Sequence, residues 1–392
     1  MSTHQPPGER HASWIELFFD LVVVAGVLQL SHLLHESPAP ADLGLYVLLY
    51  LAFWISWVCF TVYGNVEGIR AGTPSLLLAM SGLAVMVSAV PHIRTDHTAA
   101  FVCAYVFLRW LSGRLWRPGR IVVDWPLAHI GGGTVPWIVS VWVDPPVRYW
   151  LWAIGLAVDL LIMLTASGSR MVQSAQEQVA RFVRKYGSSG HVPVVEAAYA
   201  DVPHLVERLG LFVIIVLGEG VIQITSAAGQ AVWDAALIGA AAGAFALLIG
   251  LWSMSLLHGY GGVPKDGPDD LPVRVTMALH CATTCAIAVL AAGLGSAITH
   301  PDGHTPDGAR WLLCGSVAGY FGVAVLAAVV AGAPWRRILL WALPCLLLTL
   351  LLALTAGRFG AVWLLWGLVA AVVWQIVCAS DVPGRLSGPR RA

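Results

Sequence analysis

Long apolar stretches alternate with short polar breaks along almost the whole chain. The apolar runs fall at about 14–34, 43–63, 74–91, 98–116, 121–142 and 148–167, then at about 204–227, 232–257, 274–298, 310–332, 336–356 and 360–380. Each is close to the ~20 residues that carry a helix across a hydrocarbon core about 30 Å thick. In lipid the backbone polar groups have no water to bond, and a helix satisfies them within one segment. The pattern predicts an all-α integral membrane protein with about twelve transmembrane helices. The fifth run holds Asp124, Pro126, His129, Gly131-Gly132-Gly133 and Pro136, so a broken or kinked helix is expected there.

Composition agrees with the pattern. Of 392 residues, 58% are hydrophobic and only 11% charged, and the mean hydropathy is +0.76. The 22 basic and 22 acidic side chains cancel, which excludes a nucleic-acid binder acting through bulk charge and excludes disorder. The seven cysteines lie in apolar runs and read as buried thiols, not a disulfide framework. His280, Cys281 and Cys285 lack a fourth ligand, so no metal is expected. There is no Walker loop, GxSxG or HExxH motif, and no cofactor is expected. No cleavable signal is apparent in the polar first 13 residues. The eighteen tryptophans suit belts at the membrane interfaces, although Trp54 and Trp57 share a face of helix two and could line a pocket.

Basic residues orient the chain. With a cytoplasmic N-terminus, 18 lysines and arginines fall in cytoplasmic segments and four (Arg94, Arg148, Arg310, Arg358) outside. The expectation is a multi-pass inner-membrane protein with both termini cytoplasmic. Its domains would be a tail over 1–13, six helices over 14–167, a cytoplasmic linker over 168–203, six more helices over 204–380, and a tail over 381–392. In the linker, Met171, Val172, Ala175, Val179, Phe182, Val183 and Tyr186 recur at helical spacing beside Arg181, Arg184 and Lys185. This predicts an amphipathic helix over 171–186 on the inner leaflet. The halves resemble each other: Gly26-Val27-Leu28-Gln29-Leu30 parallels Gly220-Val221-Ile222-Gln223-Ile224, Trp57 and Gly64 parallel Trp252 and Gly259, and each half opens with a glutamate, Glu16 or Glu207. Six helices per half would make the repeats parallel.

The informative residues are those out of place in lipid. Glu16 and Asp20 share a face at the start of helix one. Asp159 falls mid-way along helix six, and Glu219 lies deep in helix seven between two glycines, one turn before Gln223. Each central charge costs about 2.5–3.5 kcal/mol on the insertion scale, so these acids must pair, face water or bind a proton. Arg109 and Arg208 are candidate counter-charges, with Glu207 beside the latter. Pairing that simply locks helices together is the alternative to a binding role. Asn65, Glu67 and Arg70 follow helix two, where a solvated cap is the plainer reading. His280 reads as a hydrogen-bonded core histidine or a ligand group.

At these residues the chain resembles the bacterial low-temperature-requirement A family. The resemblance rests on Glu16-Leu17-Phe18-Phe19-Asp20-Leu21-Val22, on Asn65 and Arg70, on Arg109 and Asp159, on the run from Glu207 to Glu219, and on His280 with Ala292-Gly293-Leu294. Two departures are Gly220, where the family commonly has Ser, and Trp252-Ser253-Met254-Ser255, where it is richer in aromatics. The resemblance implies an integral bacterial membrane protein and no settled activity. The acid excess within the spans points to a transporter or ion-conducting protein, with Asp20, Asp159, Glu219, Glu16, Gln223, Asn65 and His280 as candidate binding residues. The expected partners are the lipid bilayer and a small molecule or ion, and no nucleic acid. An intramembrane enzyme on a lipid or isoprenoid, and a non-catalytic envelope or stress-tolerance factor, are the rival readings.

The topology is directly testable. A reporter fused at position 190 should be active on the cytoplasmic side; activity outside the cell would overturn the orientation.

Overall fold

A computed structural model describes residues 11–34, 38–68, 71–186, 194–258, 271–299, 305–355 and 360–380. Arg70, the linker position 190 and most of both tails lie outside the described residues. The first helices are α1 (Trp14–Ser31), α2 (Pro40–Glu67), α3 (Thr73–Ala89), α4 (Thr98–Arg114), the short α5 (Thr134–Val139) and α6 (Val147–Thr165). They are followed by α7 (Gly168–Tyr186), α8 (Val202–Gln230), α9 (Ala235–Trp252), α10 (Val273–Thr299), α11 (Asp307–Val330), α12 (Trp335–Thr355) and α13 (Ala361–Ser380). Among the described residues, nine helices are long and apolar enough to cross a membrane: α1–α3, α6 and α9–α13. Of the other long helices, α4 has 17 residues and α8 has 29. The chain is therefore a polytopic helical protein in contact with the lipid bilayer.

The chain divides into two compact units. One gathers described residues of Met1–Leu30, Gly44–Phe212 and Pro272–Met277; the other gathers those of Ser31–Leu43, Val213–Leu271 and Ala278–Ala392.

In the first unit α2 is buried along nearly its whole length, from Leu45 to Asn65. Asn65, expected in a turn after the helix, is instead inside its last turn. Five tryptophans, Trp54, Trp57, Trp125, Trp137 and Trp152, are fully buried and build a core, not an interfacial belt. Trp137 and Trp152 stack with ring centres 4.9 Å apart, and Tyr105 lies 4.4 Å from Trp137. Other tryptophans, such as Trp14, Trp142 and Trp150, are exposed, as belts require.

The single helix expected over 121–142 does not form. A three-residue strand, β1 (Arg120–Val122), pairs in parallel with β2 (Glu196–Ala198), a 3-10 turn spans Pro126–Ala128, and only then does α5 begin. Proline has no N–H to give a helix, and Pro126 is followed within ten residues by three glycines and Pro136. The segment nevertheless runs antiparallel to α4 along its length. Gly113 meets the Ala128 carbonyl, Arg109 reaches the Ile130 carbonyl, Tyr105 meets Trp137, and Thr98 meets Arg148 just beyond. Trp125, Leu127 and Ala128 are buried, so this irregular backbone is sheltered by protein.

In the second unit α9 and α13 pack in parallel. Gly239 faces Val362, Gly243 faces Leu365 and Trp366, and Gly250 faces Val372. Small residues at four- and seven-residue spacing let the helices approach closely, and Trp366 Nε1 donates to the Gly239 carbonyl at 3.1 Å. At the end of α9 the backbone widens into a π-helix over Ser253–Leu257, where Ser255 and Tyr320 share a hydrogen bond at 3.0 Å.

Another close approach brings the start of α5 against α6. A Cβ on Gly155 would lie 2.5 Å from the Gly133 carbonyl oxygen, and backbone cannot rotate away. Gly155→Ala should therefore destabilise the protein by about 1–3 kcal/mol. Gly250→Ala, whose Cβ would meet the tip of Val372, should cost less. Thermal unfolding of both in detergent checks the order.

Candidate functional site

Two charge clusters lie in the first unit. The first joins α1, α2 and the start of α8. Glu16 reaches back to the start of α1, where its Oε2 atom accepts from the Ser13 N–H and Oγ–H, each at 2.8 Å. One turn on, Asp20 is fully buried. Its Oδ1 accepts from Trp57 Nε1 at 2.7 Å and from Arg208 Nη2 at 2.5 Å, and its Oδ2 from Arg208 Nε at 3.3 Å. Arg208 Nη1 stands 3.2 Å from Glu16 Oε1. One guanidinium thus bridges the carboxylates that helical spacing placed on one face.

Asn65 ties the end of α2 to the start of α8. Its Oδ1 accepts from the Asp201 N–H at 2.8 Å, which fixes the amide orientation. Nδ2 then donates to the Asp201 carbonyl at 2.9 Å and to His204 Nδ1 at 3.0 Å. With Nδ1 accepting, the His204 proton sits on Nε2, 3.6 Å from Glu16 Oε2. His204 was not among the sequence candidates; it lies four residues before Arg208 on the same face, and that spacing was the available signal.

The second cluster joins α2, α4 and α6. Arg109 Nη2 donates to Asp159 Oδ1 at 3.3 Å, and Arg109 Nη1 donates to Cys59 Sγ at 2.9 Å. Tyr105 Oη donates to Asp159 Oδ2 at 3.3 Å. Gly133 abuts the Asp159 carboxylate so closely that a Cβ there would overlap it. This explains why glycine stands at that point of the irregular segment.

In the second unit Glu219 is as buried as these acids. Its Oε1 accepts from Gln223 Nε2 at 2.7 Å, and the same amide lies 3.1 Å from Ser31 Oγ. Among the described residues no basic side chain pairs with Glu219. Gly295 leaves room for the Gln223 amide, since a Cβ there would stand 2.9 Å from Gln223 Oε1.

The sequence that carries these residues matches a known family. The model for the bacterial low temperature requirement A protein (LtrA) matches residues 11–376, nearly the whole sequence. The chain belongs to the LtrA family. It is also 27% identical over 229 residues to an uncharacterized protein, RA0937, of Rhizobium meliloti (strain 1021), an alignment covering 55% of this chain and 51% of that protein. The chain thus spans about half the length of that curated relative. No solved structure matches it.

The remaining candidates of this LtrA-family chain are placed apart from the clusters. Glu207 is half-exposed and faces His11 at 3.5 Å, so it is not part of the Arg208 network. His280 is fully buried on α10, where Thr284 Oγ1 donates to its carbonyl at 2.7 Å. Glu67 is buried against Arg120 at 2.6 Å. His129 Nε2 accepts from the Val122 N–H at 3.0 Å. Among the described residues no group of three His, Cys, Asp or Glu could hold a metal ion.

The Arg208 network makes an asymmetric prediction. Asp20→Asn leaves the Arg208–Glu16 pair and should fold and insert. Arg208→Gln leaves two buried carboxylates facing each other and should cost about 3–5 kcal/mol. Adding Asp20→Asn to Arg208→Gln should recover much of that loss, read as membrane abundance and melting temperature.

Proposed function

We propose that the chain is a transporter or ion-conducting protein of the bacterial inner membrane, in which Glu219 carries a proton or small cation and Gln223 holds the carboxylate. The observation behind this reading is a contrast. Asp20 and Asp159 each meet a guanidinium, whereas Glu219, equally buried, meets an amide. A bare carboxylate in a membrane span costs several kcal/mol, and a bound proton or cation removes that cost. Gln223 suits either state, because its amide offers both a donor and an acceptor. Asp20, Glu16 and Asn65, with Arg208, and Asp159 with Arg109, then serve to hold the helices in place. His280, buried in the same unit as Glu219, is kept as a secondary candidate.

The same proposal includes the topology. Twelve crossings follow if the broken segment over 121–142 is the fifth, and its antiparallel course along α4 supports this. Both termini are then cytoplasmic, and two parallel six-helix halves descend from a duplication.

Flux in proteoliposomes tests the central claim. Wild-type protein should move protons, sodium or potassium down an imposed gradient. Glu219→Gln should lower that flux about tenfold or more with melting temperature unchanged, as expected for an intramembrane acid with a functional role. No flux above empty liposomes for any of these ions would remove the transport reading.

A further inference from the structure

Where α4 ends, the chain turns through β1 and later returns as α7, bordering an open cavity of about 690 Å³. Arg117 and Arg120 line it from one turn and Arg170 from α7, with Ser174 and Gln178 of α7 completing the polar wall. Two carboxylates partly compensate this charge: Glu67 lies 2.6 Å from Arg120 and 3.9 Å from Arg117, and the exposed Glu196 lies 4.0 Å from Arg120. Among the described residues Arg170 forms no ion pair, and Arg120 Nε is buried without a hydrogen-bond partner. Three guanidiniums thus stand against two carboxylates, one of them exposed, which leaves the wall net positive.

A second cavity of about 380 Å³ shares Gly113 and His129 with the first. Val106, Trp110, Leu127, Ile130 and Ile138 give it an apolar wall, and Arg109 also lines it. Trp110 and Ile138 are themselves exposed on the surface of the bundle, the face a bilayer covers. A basic chamber thus opens beside an apolar slot that borders lipid. The helix forming one wall, α7, turns its half-buried Met171, Ala175 and Val179 inward and carries Arg181, Arg184 and Lys185 outward.

We propose that this pair of cavities binds an anionic phospholipid, the phosphate held by Arg117, Arg120 and Arg170 and an acyl chain in the slot beside Ile138. Guanidinium forks match phosphate oxygens two at a time, and basic pockets between membrane helices on the cytoplasmic side take anionic headgroups. A soluble phosphate ester shares the headgroup chemistry but has nothing to fill the slot. The site is separate from Glu219, so ion passage and lipid binding stand or fall independently.

The experiment uses the full chain in detergent, with tryptophan fluorescence reporting through Trp116, which lines the chamber. Short-chain phosphatidylglycerol should bind saturably and phosphatidylcholine of equal chain length about tenfold more weakly. Arg117→Gln with Arg170→Gln should lower phosphatidylglycerol affinity about tenfold or more. Both side chains are largely exposed, so the fold should hold, as an unchanged melting temperature will verify. Ser174→Asp, an added charge on an exposed wall position, should weaken binding in the same direction. Ile138→Trp, which fills the slot, should weaken lipid binding only. Glycerol 1-phosphate distinguishes the sources: displacement of the lipid at comparable concentration assigns the site to a soluble phosphate ester, and failure to displace it assigns the site to the lipid. Equal binding of the two phospholipids, or unchanged affinity in the double arginine variant, would overturn the proposal.

Discussion

A guanidinium removed from water has to meet anions, and Arg208 imposes that condition on the first unit. It is held by two residues of α1 one helical turn apart, Asp20 and Glu16, and the Trp57 indole of α2 shares the Asp20 carboxylate. Three helices are therefore positioned by one charge. Packing of apolar side chains alone would tolerate rotation of α1 about its axis, because lipid is as apolar as the protein interior. The ion pairs do not: a rotation of even part of a turn would separate Asp20 from Arg208 and expose both to a medium that stabilises neither. The Asn65 contacts with Asp201 and His204 extend the same control to the start of α8.

The Arg109 cluster applies this constraint where regular structure fails. The chain runs beside α4 without a continuous helix, and its backbone groups need partners from elsewhere. Arg109 supplies one to the Ile130 carbonyl while holding Asp159, and His129 supplies another by accepting from the Val122 N–H. Polar side chains here substitute for the missing helical hydrogen bonds. The same irregularity opens the cavities along α4, since a full helix would have filled that space.

Much of this was legible because charge is conspicuous in an apolar sequence. Asp20, Asp159, Glu219, Arg109 and Arg208 stood out on cost alone, and Arg208 was one of two partners open to Asp20. The choice between them was not legible, because 188 residues separate Asp20 from Arg208 and helical spacing constrains only near neighbours. His204, Tyr105 and Cys59 were passed over for the opposite reason: each is an ordinary core residue until a charge is placed beside it. The run over 121–142 is apolar, but hydropathy carries no information on conformation. Its glycines and prolines pointed to a break without saying that a strand would start it. The tryptophans were over-assigned to interfaces since amphipathic rings serve equally well in a core.

The span between Asp20 and Arg208 also sets a schedule. A ribosome adds about 5–20 residues per second, and the N-terminal part of a chain is ordered first. Helix α1 therefore enters the membrane roughly ten to forty seconds before its counter-ion has been synthesised. During that interval Asp20 has neither Arg208 nor a settled bundle around it, and it must be sheltered by the insertion machinery, by water or by a proton. The pairing that locks the finished protein is thus a late event in its biogenesis, and the N-terminal helices have to wait, loosely associated, for the midpoint of the chain to arrive.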